Sequence, residues 1–372
     1  DLHRRRHSFP TRRSSDLYVS RATGDDADDG LTVGTAVRTL ARGAQLVRNN
    51  FPDQLLLADG GEWDERLVTR DGCWTKGGAS PDRPMVIGRY SEGAAGAQPP
   101  RITYRGTNPQ FASSAIQVMG EEFPGNLWIV GIDFAPRQDD SVAHSAVYLY
   151  TNKSHVAIEG CRSVGGNSFL IADGVTPNGL NDLYVGRCSI ERTKDAGGQH
   201  SGGGYVVRVG RALFDGNVLD TVGWDGVART ADCKFNQGWY IVGNFETAAD
   251  CVLFTNNLVL RPAHCAFQLR GQESYALWNT VVDAPIGISG GHAMLPAGCY
   301  WTGGIGENTI VGWAACPGAA QGESVRYSRG SGAQVIKNEY VDPRVSAYVE
   351  QPVGDVAYWG NRVTRTTPGG AQ

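Results

Sequence analysis

Apolar residues along this chain fall in short runs that alternate with polar ones and are separated by glycine, proline, asparagine and aspartate. Such a pattern predicts short strands joined by tight turns. Tyr18-Val19-Ser20 reads as a first strand, and Gly24 to Gly30 as an acidic turn. One stretch departs from alternation. Val37, Leu40, Ala44 and Val47 share a face at helical spacing, which predicts a helix. Leu55-Leu56-Leu57 reads as a buried strand and Gly60-Gly61 as a turn, and Met85-Val86-Ile87 and Ile116-Gln117-Val118 as further strands. Residues 18–60 are expected to form a cap, about 61–345 a stack of coils, and 346–372 a C-terminal tail.

From about residue 126 the pattern repeats. Ile129-Val130-Gly131-Ile132-Asp133-Phe134 has counterparts at Ile158-Glu159-Gly160-Cys161, Val185-Gly186-Arg187-Cys188, Phe214-Asp215-Gly216-Asn217 and Phe254-Thr255-Asn256-Asn257. Looser copies surround Asn279, Asn308 and Asn338. The shared column Ile132, Cys161, Cys188, Asn217, Asn257, Asn279, Asn308, Asn338 has spacings of 29, 27, 29, 40, 22, 29 and 30 residues. A repeat of that length built from strand-like pieces predicts a solenoid, in which each coil buries its apolar face on its neighbours. An asparagine once per coil can bond to the coils above and below. The long spacing marks an insertion over roughly 220–237, and insertions in solenoids map to loops.

Each coil carries a further strand beyond the asparagine. Alternation places Val147, Leu149, Val207, Val209, Trp239, Ile241, Phe267, Leu269 and Ile288 inward, and Tyr148, Arg208, Tyr240, Gln268 and Ser289 outward in one column. His264 and Arg270 fall on the same face, and the insertion, with Trp224, Asp225 and Lys234, forms a wall beside it.

Composition adds to this picture. Fifty glycines with only 19% charged residues suit strands and tight turns. The formal charge of −4, without a basic stripe, argues against nucleic acid as a partner. No apolar run is long enough to suggest a membrane span. Residues 7–17 read like translated sequencing adapter, so residues 1–17 are set aside as an artefactual extension. A secretion signal would be lost with the natural start. The eight cysteines include no CxxC pair, which disfavours zinc; Cys299 and Cys316 are a candidate pair for a disulfide, and the rest read as small buried residues.

The opening Tyr18-Val19-Ser20 with Asp28-Asp29-Gly30-Leu31, the Thr39-Leu40 start of the cap helix, the phrase Ser80-Pro81-Asp82-Arg83-Pro84-Met85-Val86-Ile87-Gly88 and the asparagine coils together resemble the pectate-lyase-like superfamily over nearly all of residues 18–360. The resemblance implies an all-β fold, a right-handed parallel β-helix with a short N-terminal capping helix. It also implies work on an extracellular polysaccharide. The superfamily includes lyases, glycoside hydrolases, esterases, epimerases and phage tailspikes, so fold alone leaves the activity open.

The expected activity is β-elimination on an acidic, alginate- or pectate-like polymer by a secreted or periplasmic bacterial monomer. Such a lyase must neutralise the uronate carboxylate, remove the C5 proton and help the C4 oxygen leave. Arg208 and Arg270 match a carboxylate bidentately. Tyr240, His264 or Lys234 could move the proton. Gln268, Tyr148, Trp224, Asp225 and Lys194 are candidates for holding sugar, and His200 is a second choice of base. Taken singly, an outward arginine or tyrosine is ordinarily just solvated and a lone histidine ordinarily structural; it is their clustering that points to a site. A hydrolase would instead need paired carboxylates, for which Asp195, Asp220 and Asp225 are candidates, although the paired-aspartate and Gly-His-Gly patterns of the polygalacturonase branch are absent. A non-catalytic glycan-binding protein is the third reading. Many lyases of this fold use calcium; the Asp25-Asp26-Ala27-Asp28-Asp29 run could bind Ca2+ but lacks spaced ligands, and a solvated turn fits it better.

Overall fold

The computed structural model describes residues 16–93, 98–104, 114–136, 145–176, 179–194, 201–224, 236–242, 251–270, 273–290, 303–312, 323–327, 334–341, 348–349 and 357–364. Their strands form three parallel sheets of 12, 11 and 9 strands, here A, B and C. From Met85–Tyr90 onward every third strand in sequence returns to the same sheet, so each of those coils contributes one strand to each. Strand crossovers of this kind wind right-handedly, and the fold is a right-handed parallel β-helix.

The expected column is real. Asn257 shows the unit: its Oδ1 accepts the Asn217 backbone N–H at 3.0 Å and the Asn217 Nδ2 at 2.9 Å, while its own Nδ2 donates to Phe214 O at 3.0 Å and Asn279 Oδ1 at 2.9 Å. The same bonds link Asn279 to Asn308 and Asn308 to Asn338, and the ladder runs on to Asn361. Cys161 and Cys188 hold the equivalent place lower down, each pointing Sγ at a carbonyl of the coil below, Ile129 O and Ile158 O, at 3.7 Å. The residue before each ladder position is left-handed, from Gly131 through Arg187, Asn256, Trp278, Glu307 and Lys337 to Gly360, at φ between 51° and 70°. Such a conformation is costly for residues other than glycine, and the buried amide ladder offsets that cost at the corner between sheets A and B.

Inside the coils, side chains stack on their own kind. Phe214 lies on Phe254 at 4.6 Å between ring centroids, and Trp239 and Phe267 close around them. Gly204 supplies the room for Trp239, because a Cβ there would stand 2.5 Å from the indole. Of the five cysteines among the described residues, Cys73, Cys161, Cys188, Cys251 and Cys265, none is in a disulfide, and Cys161, Cys188 and Cys265 are buried as expected; Cys299 and Cys316 lie outside the described residues.

The cap departs from expectation in two ways. The helix α1 is only Leu40–Leu46, since Val37 is already bridged to Val19 and Val47 ends it. Lys76 seals its last turn by donating Nζ to Ala44 O at 2.7 Å and Val47 O at 2.5 Å. Asp16 and Leu17, set aside from the sequence, pair with Gln54 and Leu55 in the first strand of sheet A; pairing needs only backbone, and Leu17 buries its side chain. The acidic turn spends its carboxylates locally. Asp26 accepts the Arg38 and Thr39 N–H groups at 2.9 Å, and Asp29 accepts Leu31 N and Thr35 Oγ1. At the far end the expected tail instead continues the coils, with Tyr348–Val349, Ala357–Trp359 and Arg362–Thr364 in sheets C, A and B.

Candidate functional site

Sheet C presents the face expected to carry chemistry. Its register runs Gln117, Tyr148, Ile171, Tyr205, Tyr240, Gln268, Ser289 across successive coils. Tyr148, Tyr240, Gln268 and Ser289 therefore stand in one column, as alternation required. Arg208 does not. The strand in that coil is Ser201–Val207, and Tyr205 takes the column position. The Gly202-Gly203-Gly204 run reads as a flexible loop in sequence but belongs to the strand, which shifts the register. Val206 is consequently the buried residue and Val207 the half-exposed one. Arg208 follows the strand at φ 52°, where Nε and Nη2 donate to Asp173 Oδ1 at 2.9 and 2.6 Å.

Tyr240 and Arg270 form the centre. The Arg270 guanidinium lies over the Tyr240 ring, 4.7 Å from its centroid, and Nη1 donates to the phenol oxygen. Tyr205 packs on Tyr240 at 5.2 Å, and Tyr148 stacks with Tyr150 at 6.3 Å. Burial pushes the Tyr240 phenol up to about 12, with Arg270 opposing, so it is protonated at neutral pH. Burial also raises Tyr148 to about 12, helped by Asp173. It pushes the Arg270 guanidinium below its ordinary value, a shift that Tyr240, Cys265 and Tyr205 resist. The group remains a cation, because an arginine titrates so far above neutrality. The arrangement places a guanidinium cation over a protonated phenol that is itself only 4% exposed, and Gln268 and Ser289, expected to face outward in the same column, are likewise buried.

The other candidates are not all brought here. His264 lies on the same strand line, but four residues before Gln268 and six before Arg270, roughly 13 and 20 Å along an extended chain. It is 9% exposed and bonded through its backbone to Asn236 O, in line with the buried Asn236 and Ser201, whose polar atoms meet at 2.7 Å. Tyr240 is no more exposed, at 4%, so distance from Arg270 rather than burial sets His264 apart. Lys194 and Trp224 bridge one another at the corner between sheets B and C, with Trp224 Nε1 donating to Arg261 O at 2.8 Å. Each precedes the sheet C strand of its own coil. Asp220 is on sheet B, held by Arg261 at 2.5 Å, and does not reach this face. Lys234, Asp225, Asp195 and His200 lie outside the described residues. No group of three histidine, cysteine, aspartate or glutamate side chains that could hold a metal occurs among the described residues. No helix is long and apolar enough to cross a membrane.

Two residues of this face escape the sequence reading, Tyr205 and Asp173. The signal for Tyr205 was an apolar–Tyr–apolar triplet shared by Val147-Tyr148-Leu149 and Trp239-Tyr240-Ile241, with Gly204 in the first apolar place. Asp173 carries no such signal, since its partner lies 35 residues on.

No protein-family model matches the chain, and no curated protein does. Solved structures do. A rhamnogalacturonan lyase superposes with a TM-score of 0.61 at 13% identity, over 93% of this chain and 87% of that one. A lacto-N-biosidase from Eubacterium ramulus gives 0.50 at 12%, over 95% and 68%. The tailspike protein of E. coli bacteriophage HK620, solved with a pentasaccharide, gives 0.51 at 13%, over 85% of this chain and 55% of its own length. What the chain shares with all three is its architecture, the right-handed parallel β-helix.

Proposed function

We propose that the outer face of sheet C binds an acidic polysaccharide and cleaves it by β-elimination. The observation that carries this is the Arg270–Tyr240 pair. Arg270 would bind the uronate carboxylate, withdrawing charge and so acidifying the C5 proton. Tyr240, protonated at its raised value of about 12, would donate to the departing C4 oxygen. The base is assigned to Lys234, next to the strand Asn236–Val242 in sequence. Asp173, Arg208 and the tyrosine row would hold neighbouring sugars. A paired-carboxylate hydrolysis has less support on this face. Asp173, a carboxylate on this face, is already bound by Arg208. The polymer is too large to enter a cell, so the protein is proposed to act outside the cytoplasm.

The fold neighbours support a glycan as the ligand, because three proteins of this architecture are a rhamnogalacturonan lyase, a lacto-N-biosidase and a tailspike solved with a pentasaccharide. The test is a panel of acidic and neutral polysaccharides, read in parallel for ultraviolet absorbance from unsaturated uronate ends and for new reducing ends. Both signals together are expected. Reducing ends without the absorbance would replace the lyase with a hydrolase, and binding without either would leave a glycan-binding protein.

A further inference from the structure

Sheet C does not open evenly to solvent. Among the described residues, the column that holds Tyr240 is buried at Gln117, Tyr240, Gln268 and Ser289 and half-exposed at Tyr148, Ile171 and Tyr205. Side-chain size does not account for this: Tyr240 is itself a tyrosine, and Ile171 is smaller. A second outward column lies two residues further along each strand. It runs Met119, Tyr150, Asp173, Val207, Val242, Arg270 and is half-exposed throughout. The face is therefore a groove along the second column that broadens over three successive coils into a bay. Ile171 is the floor of the bay, and its neighbours lean away from it. Tyr205 packs on Tyr240, one coil further on, and Tyr148 stacks along its own strand with Tyr150. The two walls, Tyr148 and Tyr205, are two coils or roughly 10 Å apart.

Resting on the reading of sheet C as the glycan face, we infer that the polymer carries a neutral branch sugar, held in this bay while the backbone follows the groove to Arg270. The bay has the two kinds of surface a sugar ring needs. Ile171 and the tyrosine rings offer apolar area to its C–H faces, and the Tyr148 and Tyr205 phenols offer O–H donors to its hydroxyls. Burial and the Asp173 carboxylate push both phenols up, so both stay protonated at neutral pH. The floor and the two walls carry no charge. At the rim Asp173 matches Arg208, whose Nε and Nη2 donate to its Oδ1 at 2.9 and 2.6 Å. An acidic branch would lose water over Ile171 with no net charge beside it to compensate. Asp173 stands three coils from Arg270, roughly 14 Å along the groove, which sets the branched sugar apart from the bond that is cleaved. A linear polymer would pass the bay and leave it to water.

The experiment measures Kd and kcat/KM on two pairs of acidic polysaccharides that share a backbone and differ in neutral branches: welan against gellan, and rhamnogalacturonan before and after enzymatic removal of its galactan branches. Within at least one pair the branched member is expected to be favoured by about tenfold or more. Ile171→Trp fills the bay and Tyr205→Ala removes one wall. Each, once shown to melt with the parent, is expected to shrink that preference to about threefold or less. Equal or better binding and cleavage of the unbranched member in both pairs, or an unchanged preference in both variants, overturns the branch, and unsaturated ends from the unbranched member leave the lyase reading standing. Branch-dependent binding without unsaturated ends keeps the bay and removes the lyase reading. Binding of none of the four polymers removes both.

Discussion

Replacing Asn257 by leucine isolates the amide ladder that runs from Asn217 to Asn361. The side chains are close in volume, so packing changes little. Four hydrogen bonds are lost, to Asn217 N, Asn217 Nδ2, Phe214 O and Asn279 Oδ1. Two of the partners keep another bond: Asn217 Nδ2 still donates to Val185 O at 3.0 Å, and Asn279 Oδ1 still accepts the backbone N–H of residue 257. The Asn217 N–H is left without its acceptor in a place with 0% exposure. An orphaned buried donor costs about 1–3 kcal/mol, and each weakened bond about 0.5–1 kcal/mol. The substitution should therefore destabilise by about 3 kcal/mol. Urea unfolding followed by tryptophan fluorescence reads this as a lower midpoint at unchanged slope. Hydrogen exchange at the Asn217 amide should accelerate with it. A loss below about 1 kcal/mol, with the amide still protected, would refute the reasoning, because the ladder would then be ornament on a fold held by its apolar stack.

Other substitutions and conditions test other parts. Cys188→Asn should stabilise by about 1 kcal/mol, since an amide there can do for the coil of Cys161 what Asn217 does for that of Cys188; a lower melting temperature would count against it. Gly204→Ala should cost about 1–3 kcal/mol by forcing a Cβ against Trp239, and a neutral result would show that the indole can move. Tyr148 and Tyr240 titrate at about 12 when folded, against about 10 for an unfolded phenol. The folded chain thus holds more protons in that window, and stability falls as pH rises from about 10 toward 12. Ultraviolet titration showing every tyrosine ionised near pH 10 in the folded protein would contradict this.

The parts of this molecule legible in the sequence are those that repeat. An asparagine wanted by both its neighbours must recur once per coil, and so the eight-residue column, the solenoid and most of the sheet C alternation could be read from spacing. The reading slipped where glycine replaced the expected apolar residue. At Gly202-Gly203-Gly204 the strand has no side-chain pattern, because Trp239 from the next coil fills the space. Arg208 was consequently given the place that belongs to Tyr205. The separation of His264 from Tyr240 was hidden for a different reason. Same-face position along a strand says nothing of distance, and four residues of extended chain separate it from the level of Tyr240. The Asp173–Arg208 and Tyr240–Arg270 contacts span 35 and 30 residues and depend on register between coils, which sequence spacing fixes only to within an insertion.

The claim on which the rest depends is that Arg270 and Tyr240 act together on a sugar chain lying across sheet C. The most direct measurement is the turnover of Arg270→Ala and Tyr240→Phe, each purified and shown to melt with the parent, on whichever polysaccharide the parent cleaves. The account predicts that each variant loses about a hundredfold or more in kcat. Near-parental turnover in both would contradict it and move the chemistry off this face.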